Sequence, residues 1–287
     1  MNRQIKNKLY RASNLNFSRK YDESLELFDK LYESNPEEFR YKSRVDYAWA
    51  IYHVHIENST DIDELLEYAE FITNMAPQSD LNRIDVCPYV LSVFKVLDIL
   101  KKDQDYISML YWLDKLDVNL LESEQCLDKS RPIRSKREKY YDYLSIAYLG
   151  CGNYRKCIET SKFALKTFDV FTYNGDAWHN WRIGKSYSML NQNEKAFIHL
   201  NKAILVLRNW FIHKELADVC FRLNNMECSV IHIREAISKP DASRSLYYTI
   251  YSILKDSDPE MADKHLELYH NHSDDLKREI EEYWSNR

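Results

Sequence analysis

The sequence predicts an all-α fold, a solenoid of about seven antiparallel helix pairs stacked in series. Three observations carry this. A block of small and large residues recurs through the C-terminal half at a near-constant period. Apolar residues fall at spacings of three, four and seven, the stripe of an amphipathic helix. Glycine is scarce, with four residues in 287 where an average usage of about 7% would supply roughly twenty. That scarcity argues against sheet sandwiches, phosphate loops and dinucleotide folds, which need glycine where the backbone turns sharply or approaches a ligand.

Near the N-terminus, Tyr21-Asp22-Glu23-Ser24 with Phe28, Leu31 and Asn35-Pro36 reads as the second helix of a first pair and its exit, because Pro cannot continue a helix. Tyr41 to Ile56 and Asp61 to Met75 form a pair across the turn Glu57-Asn58-Ser59-Thr60. Gln104-Asp105-Tyr106 with Met109, Leu113 and Leu116 opens another helix, and Leu121 to Lys139 falls outside the pattern. The clearest unit then follows. Gly184 and Tyr187 stand on a first helix, Leu190 to Gln192 make a polar turn, and Ala196, Leu200 and Ala203 share one face of a second helix.

Moving 33 residues on gives Ala217, Cys220 and Leu223 with Ser229, Ile233 and Ala236; another 33 gives Ile250 and Ile253 with Ala262, Leu266 and Tyr269. Moving 39 back gives Ser145, Tyr148, Gly152-Asn153-Tyr154, Cys157, Ser161 and Ala164, the extra residues falling in an Asp169 to Asp176 loop. Small residues at these positions let helices approach, and the neighbouring large residues fill the groove so formed. The organisation expected is irregular repeats over 1–120, a basic linker over 121–139 and a regular array over 140–287.

These residues resemble a tetratricopeptide repeat (TPR) protein. The motif positions are Gly184, Tyr187, Ala196, Leu200 and Ala203, Ala217 with Ala236, Ala262 with Leu266, and Tyr21 with Ser24, Phe28 and Pro36. Large residues occupy small positions at Leu31, Met109, Leu116 and Tyr269. The resemblance implies a right-handed superhelical solenoid that recognises a protein or peptide on its concave face. The stretch from Arg137 to Ala236, including Asn209-Trp210-Phe211-Ile212-His213-Lys214-Glu215-Leu216-Ala217, is also similar to TPR proteins of bacterial conflict and mobile-element gene clusters. That second resemblance implies an alternative role, a nucleic-acid-associated accessory subunit of a bacterial defence system.

In such a solenoid the first helix of each pair lines the inner surface. The positions opposite the packing stripe are Trp178, Trp181 and Lys185, then Phe211, Lys214, Phe221 and Arg222, then Arg244, Tyr247 and Tyr251. An aromatic and basic face of this kind suits an acidic or aromatic-containing peptide. It would also suit a nucleic-acid strand stacked on rings, as a secondary partner. The paired Lys and Asn of the family's carboxylate clamp are not met, since Asp142, Ile146 and Glu215 occupy those places. The linker supplies a second candidate, a phosphate-binding run of Lys129, Arg131, Arg134, Lys136, Arg137 and Lys139 around Pro132, which suggests an irregular connection.

Net charge is −5 with 30% charged residues, so no global basic field draws nucleic acid. The six cysteines show no Cys-x-x-Cys pair, and most of them read as small core residues. His265, Glu267, His270 and His272 suit one helical face poorly and read as surface residues. No catalytic elbow, phosphate loop or zinc-hydrolase motif is present, so the expectation is a non-enzyme with no cofactor and no metal. The N-terminus lacks a signal-peptide stretch and no run of about 18 apolar residues occurs, giving a cytoplasmic location without membrane contact as the expectation. A peptide-responsive regulator is a third reading, opposed by a first repeat that already occupies Met1 to Pro36.

Overall fold

Short polar turns join successive helices. In five of them the second residue past the helix end adopts a left-handed backbone: Arg19, Gln104, Gly152, Asn191 and Asn224 all have φ between 56° and 71°. The residue after each begins the next helix, and where it is Asp105, Asn153 or Asn225 its side chain accepts the backbone N–H three residues on. The last three of these turns are spaced as the sequence register requires.

The computed structural model describes residues 3–78, 87–124, 126–128, 131–271 and 273–285. Its contacts divide the chain into two compact units, Met1–Cys151 and Gly152–Arg287. The first holds α1 (Arg3–Phe17), α2 (Tyr21–Ser34), α3 (Tyr41–Ile51), α4 (Ile62–Met75), α5 (Pro88–Lys102), α6 (Tyr106–Asp114) and α7 (Lys136–Gly150). A two-stranded ribbon of β1 (Cys126–Asp128) and β2 (Arg131–Ile133) precedes α7. The second holds α8 (Tyr154–Thr167), α9 (Gly175–Met189), α10 (Asn193–Leu207), α11 (Trp210–Arg222), α12 (Met226–Ile237), α13 (Ser245–Leu254), α14 (Pro259–His270) and α15 (Asp274–Ser285). The chain is thus all-α apart from the ribbon, and the division falls between α7 and α8.

The helix-pair register is visible as close approach between helices. Ser24 on α2 donates its hydroxyl to the Ala12 carbonyl on α1 at 2.9 Å, and Ser229 on α12 does the same to Ala217 on α11 at 2.9 Å. Both serines and both alanines are fully buried. Gly184 and Ala196 occupy the same two positions in the α9–α10 pair. There a Cβ on Gly184 would lie 2.7 Å from Leu200 Cγ and 3.0 Å from the Leu200 backbone nitrogen, so the helices meet at a contact that admits no side chain.

In the first unit, α3 runs on through one π-helical turn, Tyr52–Ile56, which completes the helix expected over Tyr41 to Ile56. Asp61 caps α4, accepting from the backbone N–H groups of Asp63 at 3.0 Å and Glu64 at 3.3 Å. Phe28, Tyr32, Phe39, Tyr47 and Phe71 interlock as a ring cluster, and the Tyr47 hydroxyl donates to Asp29 at 2.6 Å. Burial and that carboxylate push the Tyr47 phenol well above its ordinary range.

Four sequence expectations need correction. Pro132, read as part of an irregular connection, lies in β2 opposite Leu127 of β1, a place where the missing N–H costs little on a two-stranded edge. The stretch expected to be linker up to Lys139 is helical from Lys136. Cys220 and Cys228, read as separate core residues, are disulfide-bonded between α11 and α12, with Cα atoms 5.8 Å apart. His265, read as a surface residue, is fully buried. It is covered by α15, whose Ile280 and Trp284 pack on the α13–α14 pair. Among the described residues, no helix is long and apolar enough to cross a membrane.

Candidate partner-binding face

The first helices α9, α11 and α13 of the second unit neighbour one another in space, and the aromatic residues expected on their inner side gather at α9 and α11. Trp178 stacks on Phe211 with ring centroids 5.9 Å apart and planes at 19°. Trp181 meets Phe211 edge-on at 5.3 Å and Trp178 at 5.9 Å. Trp210, which the spacing argument missed, adds a fourth ring 5.9 Å from Phe211. All four rings are half-buried. The Trp181 indole N–H is buried with no acceptor among the described residues, so that ring is held by packing alone.

The basic residues of this face are paired. Lys185 on α9 binds Glu215 on α11 at 2.7 Å, and Lys214 lies 3.9 Å from the same carboxylate and 6.0 Å from the Trp210 ring centre. Arg222 is ion-paired with Asp218 and also donates to the Ser188 carbonyl at 3.1 Å and its hydroxyl at 3.0 Å, tying α11 to the end of α9. Buried Glu215 therefore sits at the centre of the patch. The face is aromatic with charges of both signs, and less basic than the sequence list suggested. Spacing along the chain does not show this, because Glu215 meets Lys185 across two helices.

The α13 residues separate from this cluster. Tyr247 is buried in the core that α13 shares with α14 and α15, with its ring 6.2 Å from His265, and so does not line an open face. Phe221 and Tyr251 are half-buried against the same core, and Arg244 is exposed at the start of α13.

The basic run of the first unit is largely engaged within it. Arg134 binds Asp142 at 2.8 Å and Glu138 at 3.4 Å. Arg137 donates to the carbonyls of Val118 at 3.2 Å and Asn119 at 3.0 Å. Lys139 pairs with Asp98 at 3.2 Å and lies over the Phe94 ring at 4.8 Å, and burial pulls its ammonium below the usual lysine range. Arg131 belongs to β2, Lys136 opens α7, and Lys129 lies outside the described residues.

One cluster of possible ligand atoms lies in the second unit, with two of its members joined as the Cys220–Cys228 disulfide. Among the described residues, Cys220, Cys228 and His232 bring one ligand atom each within 4.8 Å of one another. They are on α11 and α12, whose packing the repeat register itself dictates. Spacing along the chain gave no Cys-x-x-Cys pattern because the ligands come from two helices.

Antiparallel helix pairs repeating in this small-residue register define a tetratricopeptide-like all-α fold. No family model matches the chain, and no curated protein matches it. Among solved structures it is similar to BtubC (BKLC) from P. vanneervenii, at 12% identity with a TM-score of 0.50, covering 80% of this chain and 94% of that one. It is also similar to a thermophilic TPR protein from Thermus thermophilus, at 14% identity with a TM-score of 0.34, covering 87% of this chain and 98% of that one. The first of these, at 12% identity, speaks for the fold alone.

Proposed function

We propose that the protein is a non-enzymatic, cytoplasmic adaptor that holds a protein or peptide segment on the face built by α9 and α11. The observation that carries this reading is the cluster of Trp178, Trp181, Trp210 and Phe211, four half-exposed rings on adjacent helices flanked by Lys185, Lys214 and Glu215. Rings of this size supply most of the binding energy in peptide recognition while losing little rotamer freedom. Charges of both signs around the rings favour a segment carrying an aromatic or aliphatic anchor with an acidic neighbour, which Lys214 is placed to meet.

The test is a peptide array probed with the intact chain and with a Trp181→Ala, Lys214→Ala variant. The reading expects a set of bound peptides that the variant loses; identical patterns for both proteins would remove it. Phosphate contacts make nucleic-acid binding fall steeply with salt. The nucleic-acid alternative is therefore addressed by titrating RNA and single-stranded DNA at low and moderate salt, where the adaptor reading expects no saturable binding.

A further inference from the structure

Three soft ligand atoms converge at the outer end of one helix hairpin. Cys228 and His232 stand four residues apart on α12, so they share a face of that helix, and Cys220 reaches them from α11. Cys220 is buried and the other two are half-buried. His213, two turns back on α11, places its Nδ1 3.0 Å from the Nδ1 of His232. Only one of those nitrogens can carry the shared proton. If His232 donates from Nδ1, its Nε2 lone pair is left free to ligate.

We propose that, with the Cys220–Cys228 disulfide reduced, Cys220, Cys228 and His232 bind one divalent cation of the zinc class, with His213 orienting the His232 ring. Two thiolates and an imidazole form the donor set of zinc rather than of calcium or magnesium, which take oxygen. Two reduced sulfurs in van der Waals contact lie at roughly the S···S edge of a tetrahedron with Zn–S of about 2.3 Å, so reduction alone brings the pair near ligand spacing. The site would clip α11 to α12, and it stands independently of the peptide-binding face. Its formation balances simply. A phosphine reductant and one water convert the disulfide to two thiols and the phosphine oxide, and the cation then displaces the two thiol protons to solution. The reducing cytoplasm supplies thiol reductants for the same two-electron step. Hydrogen-bonded partners of ligating histidines hold the ring in its ligating tautomer, which is the role His213 would fill.

The experiment titrates cobalt(II) into the full chain under nitrogen, before and after phosphine reduction, following the near-ultraviolet thiolate-to-cobalt charge-transfer band and the visible bands of tetrahedral cobalt. The expected result is one cobalt per reduced chain, displaced by one zinc, with no band from the oxidised chain. The double variant Cys220→Ser, Cys228→Ser keeps the other cysteines and should lose the band. His232→Ala keeps both thiols and should lose tetrahedral intensity. His213→Gln should retain the spectrum while binding about tenfold more weakly. Zinc should also raise the unfolding midpoint of the reduced wild type, a readout that does not depend on the variants folding. No charge-transfer band in the reduced wild type overturns the proposal. So does a band retained by the double serine variant, an unchanged spectrum in His232→Ala, or an unfolding midpoint that zinc does not move.

Discussion

Trp284 on α15 donates its indole N–H to His265 Nε2 on α14 at 3.0 Å, while His265 Nδ1 lies 2.7 Å from the Met261 carbonyl. The two bonds fix one neutral tautomer, with the proton on Nδ1 and the lone pair on Nε2. Both side chains are buried, so the terminal helix is keyed to the last repeat through a polar contact inside an apolar core.

Burial holds the His265 pKa down at about 4, against an ordinary 6.5. Because the folded value lies below the unfolded one, the unfolded chain takes up the proton first as pH falls. The stability contribution is full above pH 6.5 and is lost progressively down to about 4, by about 3 kcal/mol at most. His213 and His199, each also held near 4, act in the same direction. Urea unfolding between these limits should show stability falling with acid in the wild type. His265→Gln, which can still accept from Trp284 and donate to Met261, should reduce that slope by one proton.

Gly184→Ala should destabilise the protein by about 1–2 kcal/mol, even though alanine is the better helix former by about 1 kcal/mol. The added Cβ meets Leu200 at its side chain and its backbone nitrogen, and Leu200 is fully buried and unable to yield. Thermal or urea unfolding measures this, and combining the change with Leu200→Val should recover part of the loss.

The repeat was legible because its causes are local. Small residues at Ser24, Gly184, Ala196, Ala217 and Ser229 mark where helices touch, and polar turns mark where they reverse. What was not legible depends on partners far along the chain. His265 looked like a surface residue because its cover, α15, contributes only Ile280 and Trp284 as a sparse apolar signal. Tyr247 has the spacing of an inner-face residue but is buried by the same terminal helix. The aromatic part of the binding face followed from spacing, whereas its charge did not: Glu215 neutralises what Lys185 and Lys214 seemed to offer.

Glu215→Gln should therefore alter recognition more than folding. Its amide can still accept from Lys185, but both lysines lose their counter-charge. Affinity for an acidic peptide should rise several-fold at low salt and return toward the wild-type value as salt is added, since the gain is electrostatic. Calorimetric titration at two ionic strengths measures it.

The central claim, that the ring cluster on α9 and α11 holds a partner segment, is tested most directly by one affinity. A peptide selected by display on the intact chain is titrated against the wild type and against Phe211→Ala, the ring that both Trp178 and Trp181 touch. The expected result is a Kd at least about tenfold weaker in the variant, a loss of about 1.4 kcal/mol or more, with an unchanged circular dichroism spectrum. Equal affinity for the two folded proteins would contradict the claim and place the partner elsewhere.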